Sequence, residues 1–226
     1  MCLIQIGSGS ASLDTNIQDG FSNYIILKNI EKKVFIIEAN SIHLNNLKKF
    51  YKKNTNVKIS NLAIIPDDID LKMMDFFYCL EDFPNYQIFS NSKSFVKKHF
   101  PNGKIEKKSV ECVRISEFFD NNNIDKIDYL SIDIEGMDYS VLINLDLKKI
   151  EIENISFEHL HLTFWQKIKI VYKFINNGYF FSGMGFDLRK SDWMFTKNYK
   201  NKKIQTFLLP FTPRRIWKKY QFSTLK

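Results

Sequence analysis

Cysteine is scarce in this chain: Cys2, Cys79 and Cys112 are the only three in 226 residues, and they lie far apart. No CxxC pair or zinc-ligand spacing can be drawn from them, which argues against a disulfide framework and a cysteine metal cluster. Three isolated thiols read as buried groups in a reducing compartment. No apolar run approaches the roughly 20 residues that span a bilayer. Met1 to Ile6 is too short for a secretory leader and runs at once into a glycine loop. Together these absences set the expectation of a cytoplasmic protein with no transmembrane segment. Internal repeats are also missing, which argues against a solenoid.

Acidic residues are missing from the C-terminal end. Residues 198–226 hold eight Lys/Arg and no Asp or Glu, so of 33 basic residues 25 remain to face the 25 acidic ones before residue 198. The body is neutral and the tail is basic. Such a tail meets acidic lipid, nucleic acid or a phosphorylated group, or is simply a solvated end. The division expected is a single domain over 1–197, large enough to bury its own core, followed by a basic extension over 198–226.

What the chain does contain is an alternation of strands and helices. Cys2 to Ile6 reads as a short apolar strand leading into Gly7-Ser8-Gly9-Ser10-Ala11-Ser12. Small residues there let the backbone approach a ligand and leave amides free to donate. A helix around Phe21, Tyr24, Ile25, Leu27 and Ile30 follows, with Asp14 or Asp19 as its start signal. Val34 to Ile37 is a second strand ending in Glu38, where a carboxylate suits the two hydroxyls of a ribose. Ser41 is the expected cap of the next helix, which carries Leu44, Leu47 and Tyr51 on its apolar face.

Val57 to Ile65 reads as a third strand interrupted at Asn61, with a Pro66-Asp67-Asp68 turn after it. Lys72 to Tyr78 and Ile105 to Val113 are two more strands, separated by an acidic and aromatic loop from Glu81 to Tyr86 and a helix from Ser94 to Phe100. That loop suits a lid or substrate wall as well as it suits a packed surface loop. Ser116 to Phe119 opens another helix.

The most informative stretch is Lys126 to Asp138, K-I-D-Y-L-S-I-D-I-E-G-M-D. A buried strand (Ile127, Tyr129, Leu130, Ile132) runs straight into Asp133 and Glu135, at the end of the sheet where open α/β folds bind ligands. Burying unpaired carboxylates is expensive, so these either cap the next helix or serve a ligand. The strand Ile155 to Phe157 likewise opens into Glu158-His159-Leu160-His161. A helix over Thr163 to Asn176 and strands at Tyr179 to Ser182 and Trp193 to Thr196 complete the pattern. The expected fold is a Rossmann-like, doubly wound, mostly parallel sheet with an antiparallel C-terminal strand, placed at the edge by the last strands. Winding outward from the first strand brings the glycine loop, Asp133 with Glu135, and Glu158 with His159 to one sheet edge.

The segments I-Q-I-G-S-G-S-A, F-I-I-E-A-N, S-N-L-A-I, I-D-Y-L-S-I-D-I-E-G-M-D and I-S-F-E-H-L-H-L stand in the order found in FkbM-type methyltransferases, which the chain resembles from about Ile4 to Lys197. The resemblance implies a class I fold, S-adenosylmethionine as methyl donor, and a hydroxyl of a sugar or glycan as acceptor, with no metal required. It places Gly7, Ser8 and Gly9 along the methionine part of the donor, Glu38 at the ribose, Asn61, Leu62 and Ala63 beside the adenine, Ala39 elsewhere on the cofactor, and Asp133 facing the sulfonium. Gln5 stands where the family has an acid, its amide still able to bind the methionine amine, and Ala11 replaces a glycine. Those departures keep open a binding module without catalysis.

A sugar hydroxyl needs a base to lose its proton near neutral pH, which contributes roughly 10²–10⁴-fold. His159 is the first choice because imidazole titrates there. Glu135 and Glu158 are the alternatives, either as base or as groups orienting His159. His161, two residues on, faces the same side if the strand continues, and is expected with Asp82 and Tyr86 on the acceptor side. Asp133, Glu135 and Glu158 also form an oxygen set of the kind Mg²⁺ takes, but no metal is expected. Methylation of nucleic acid, suggested by the basic tail, is disfavoured by the absence of an N-P-P-Y-type tetrad and of a placed cysteine nucleophile.

Overall fold

The computed structural model describes residues 1–11, 20–28, 30–83, 88–183, 185, 192–197 and 207–212. Asp14, Asp19, Tyr86 and all eight basic residues of the tail lie outside them. Among the described residues, no helix is long and apolar enough to cross a membrane.

Seven strands form the main sheet: β1 (Cys2–Ile6), β2 (Lys33–Ile37), β3 (Val57–Ser60), β7 (Lys126–Ile132), β8 (Glu151–Glu158), β9 (Phe180–Gly183) and β10 (Asp192–Thr196). Their order is β3-β2-β1-β7-β8-β10-β9. β1 pairs in parallel with β2 and β7, and β8 with β7. β10 is antiparallel to both β8 and β9. The antiparallel strand is therefore internal, and the edge strand β9 runs with the others; the expectation of an antiparallel edge is corrected to this extent.

Alternation along each strand explains the two covered faces. Ile4, Ile6, Phe35, Ile37, Leu130 and Ile132 join one core. It is closed by α4 (Ile115–Asn121), α5 (Asp138–Asn144) and α6 (Phe164–Asn176). Leu3, Val34, Ile36 and Tyr129 face the other way, against Phe21 and Ile25 of α1 (Gly20–Leu27) and Leu47 of α2 (Leu44–Phe50). α6 starts at a reciprocal cap in which Thr163 Oγ1 accepts from the Gln166 amide and Gln166 returns a bond to the Thr163 amide. Its Lys173 ammonium donates to the carbonyls of Leu142, Ile143 and Leu145, closing the end of α5.

The expected third strand is two strands. The chain breaks at Asn61-Leu62, and β4 (Ala63–Ile65) leaves for a second sheet of order β4-β6-β5, with β5 (Met73–Cys79) and β6 (Ile105–Arg114). Its own core of Ala63, Ile65, Phe76, Phe89, Val110 and Cys112 includes Met137, so this sheet braces the loop leaving β7. The cap after β2 is Asn40 and not Ser41: Asn40 Oδ1 accepts from the Ile42 amide, starting a 3-10 turn over Ser41–His43 that leads into α2. Ser92 caps α3 (Lys93–His99). Leu209 is buried in the main core and Phe211 packs on Trp193 at 5.6 Å, so part of the segment after residue 197 belongs to the domain.

Candidate functional site

Four parallel strands, β2, β1, β7 and β8, end at one edge of the sheet, and the loops after them hold the residues singled out above. The loop after β1 is stitched to both neighbours: the Gly7 amide donates to the Ile37 carbonyl at 2.9 Å, and the Asp133 amide to the Ile6 carbonyl at 2.9 Å. Gly7 has φ +78°, and a Cβ on it would lie 1.6 Å from the Asp133 carbonyl oxygen. Its glycine serves the packing of loop on strand. Gly9, at φ +55°, has nothing within 4 Å of a Cβ and borders open space. Gln5 is buried within β1, on the same face as Leu3.

Glu38 closes this side. Its Oε2 accepts from the Gly9 amide at 2.8 Å and its Oε1 from the Asn40 amide at 2.7 Å. Burial pushes the carboxyl up; the nearby His43 and the amides of Asn40, Gly9 and Ser8 oppose that. With three backbone amides on its carboxyl, an ionised Glu38 still keeps a lone pair for a ligand hydroxyl. Asn61 steadies the same turn by donating to the Glu38 carbonyl at 2.8 Å and the Ala39 carbonyl at 3.0 Å. Leu62 is half-buried against the main core and Ala63 is buried in the second sheet.

The two acids after β7 do not cap α5. No side chain caps it: Asp138, its first residue, instead ties the loop before it, its Oδ1 accepting from the Ile134 amide at 3.1 Å and its Oδ2 from the Gly136 amide at 3.4 Å. That leaves Asp133 and Glu135 for the crevice. Glu135 is held in a left-handed backbone, φ 45°, with its carbonyl accepting from Ser90 Oγ at 2.7 Å. Burial first, then Glu158 and Asp138, raise the Glu135 carboxyl to about 8. Asp133 is open to solvent on one side with protein packed around the others; that enclosure, then Glu158, Asp138, Glu135 and Asp192, hold its carboxyl well above the usual range. The edge is crowded with acids that resist ionising together.

The two histidines exchange places. β8 stops at Glu158 and a turn follows, closed by the Leu162 amide on the His159 carbonyl at 3.3 Å. His159 is thereby buried, its ring stacked on Trp193 with centroids 4.7 Å apart and planes at 11°. The expectation that His161 follows it on a continuing strand is corrected: the turn folds His161 back so that Nε2 stands 3.3 Å from Glu158 Oε2 and 4.0 Å from Glu135 Oε2. Phe95 packs edge-on to the His161 ring at 5.1 Å. Burial, then His99 and Lys98, push the imidazole below its ordinary value.

Asp82 ends a 3-10 turn and accepts from the Ile88 amide at 3.3 Å. Tyr86 lies outside the described residues. Sequence reasoning missed Asp138, Asn40 and Ser90. Asn40 carried a signal, being a cap-type residue just before a helical pattern. Ser90, 45 residues from Glu135, carried none.

A glycine loop open at Gly9, a buried carboxyl at the second strand, and an acid at Asp133 whose ionised form a nearby positive charge would favour fit a nucleoside bearing a positive charge. Comparison with known proteins agrees. A search of curated proteins finds no significant match. Among solved structures, a precorrin-6y C5,15-methyltransferase from Geobacter metallireducens GS-15 is 15% identical at TM-score 0.43, covering 87% of this chain and 78% of its own. The METTL16 MTase domain is 12% identical at TM-score 0.42, covering 88% of this chain and 60% of its own. These likenesses are too distant to bear on activity. A family model described as "Methyltransferase FkbM domain" matches residues 9–188. The chain belongs to the FkbM methyltransferase family and is an S-adenosylmethionine-dependent methyltransferase.

Proposed function

We propose that this enzyme methylates a hydroxyl of a sugar or glycan. The observation that carries the reading is the convergence of Glu135, Glu158 and His161, from the exits of β7 and β8, beside Asp133. S-adenosylmethionine supplies a methyl group on a sulfonium. In this reading Glu38 receives the ribose hydroxyls, Gly7, Ser8 and Gly9 lie along the methionine portion with Gln5 beneath them, and Ala39, Asn61, Leu62 and Ala63 form the adenine end. Asp133 complements the positive charge.

Productive transfer needs the acceptor oxygen held in line with the methyl carbon. As the new O–C bond forms, the C–S bond breaks with its electron pair left on sulfur, and the hydroxyl proton departs through the Glu135–Glu158–His161 group. His159, packed flat on Trp193, is a positioning residue for the β8 exit in this account. Support for a carbohydrate comes from the residues just after His161. Phe164 and Trp165, at the start of α6, are 61% and 70% exposed, and flat apolar rings beside polar groups suit the C–H face of a pyranose. Asp82 and Tyr86 are assigned to the same acceptor side.

The test is transfer of labelled methyl to a panel of mono- and oligosaccharides. Glu135→Gln and His161→Ala are expected to lower turnover by roughly 10²-fold or more while S-adenosylhomocysteine binds as in the wild type. Turnover within threefold of wild type in both variants contradicts the assignment.

A further inference from the structure

The geometry points to a divalent-cation site made by Glu135 Oε2, Glu158 Oε2 and His161 Nε2, a role that rests on, and deepens, the acceptor site proposed above. The three donor atoms all lie within 4.8 Å of one another. Metal–oxygen and metal–nitrogen bonds of about 2.1 Å put neighbouring donors about 3.0–3.4 Å apart. His161 and Glu158, at 3.3 Å, already have that spacing. Glu135, at 4.0 Å from the imidazole, needs a shift of about 1 Å, well within side-chain torsional freedom.

Glu135 Oε2 is itself an unusual atom. It is buried and accepts no hydrogen bond, yet it is aimed at His161. Among the described residues no lysine or arginine pairs with Glu135 or Asp133; the ion pairs of those cations lie elsewhere, as in Lys32–Asp128, Lys126–Glu151 and Lys149–Asp120. An uncompensated buried carboxylate oxygen costs stability that a cation recovers. The supporting contacts suit ligands held in place: Ser90 Oγ fixes the Glu135 carbonyl, and Phe95 and His99 pack on the His161 ring.

The donor charge of S-adenosylmethionine does not account for the group. Asp133, beside the loop after β1, is the acid placed for that charge, whereas Glu135 and His161 lie farther along the β7 and β8 exits. Two carboxylates and one imidazole select a first-row ion such as Mn²⁺, Fe²⁺ or Zn²⁺ over Mg²⁺ or Ca²⁺, which take oxygen almost alone. His161 thus replaces Asp133 in the set that the sequence suggested. Three protein ligands leave coordination positions for the acceptor. With a cation bound, the three side chains would serve as its ligands in place of a proton exit, and a sugar hydroxyl held there would become more acidic and lose its proton to solvent.

The experiment is a titration of Mn²⁺ into the full, chelator-treated chain, read by electron paramagnetic resonance, with S-adenosylhomocysteine binding measured in parallel by calorimetry. The expected result is one Mn²⁺ per chain in the wild type, weakened at least tenfold in Glu135→Gln and in His161→Ala, with S-adenosylhomocysteine affinity and melting temperature retained. Absence of a bound Mn²⁺ in wild type that does bind S-adenosylhomocysteine overturns the cation site and leaves the methyltransferase assignment standing. Mn²⁺ binding unchanged in both variants overturns it equally, because the ion then sits elsewhere.

Discussion

Gly7 and Gly9 share a left-handed backbone, but their neighbourhoods assign them different work. A side chain at Gly7 collides with backbone, and backbone cannot step aside; a side chain at Gly9 meets only open space. Gly7→Ala should therefore destabilise the fold by more than about 2 kcal/mol, combining overpacking with positive φ. Gly9→Ala should lose only about 1–2 kcal/mol for its conformation while weakening S-adenosylhomocysteine at least tenfold. Denaturant unfolding and calorimetry on the two variants check this, and equal stability losses would refute the division of labour. The glycines were legible in the sequence as a loop after a first strand; which one serves packing was not, because that depends on where the Asp133 carbonyl lands. The histidines show the same limit. Two-residue phase ranks His159 and His161 together only while a strand continues, and nothing in E-H-L-H announces the turn that buries one on Trp193 and returns the other to Glu158.

The exit of β7 is an element in its own right, built around Asp138. With both oxygens committed to the amides of Ile134 and Gly136, this buried residue shapes the loop that carries Asp133 and Glu135. Burial raises its carboxyl to about 6, and the backbone hydrogen bonds only partly offset that. An acid raised in the folded state favours folding in its protonated form. Its contribution is full below pH ~4, the unfolded value, and is lost as pH rises through about 6, by an amount on the order of 3 kcal/mol. Asp138→Asn, which keeps an oxygen for the Ile134 amide, should thus lose less stability than the wild type between pH 4 and 7, as chemical denaturation at several pH values would show. Parallel pH curves for the two proteins would count against it. Also at this scale, the break at Asn61 was visible in the sequence, but its consequence was not. The three-residue strand β4 pairs with Cys112, Val113 and Arg114, some 50 residues away, and no local pattern encodes so distant a partner.

For the molecule as a whole, alternation of strands and helices was enough to order the sheet, because right-handed crossovers leave few ways to wind it. That ordering already brings the glycine loop, Asp133 with Glu135, and Glu158 with His159 to one edge from the sequence. The second sheet, which braces the Glu135 loop through Met137 and Ser90, escaped the reading because its strands look like any others in sequence. In the proposed reading this architecture divides donor from acceptor: Glu38 and the glycine loop on one side, Glu135, Glu158 and His161 on the other, with Asp133 between them. That division is tested most directly by titrating S-adenosylhomocysteine into the wild type, Glu38→Ala, Glu38→Gln and Glu135→Gln by calorimetry, with melting curves to confirm folding. The account predicts that folded Glu38 variants lose at least tenfold in affinity while Glu135→Gln binds as the wild type does. Wild-type affinity in the Glu38 variants, or a comparable loss in Glu135→Gln, would contradict it.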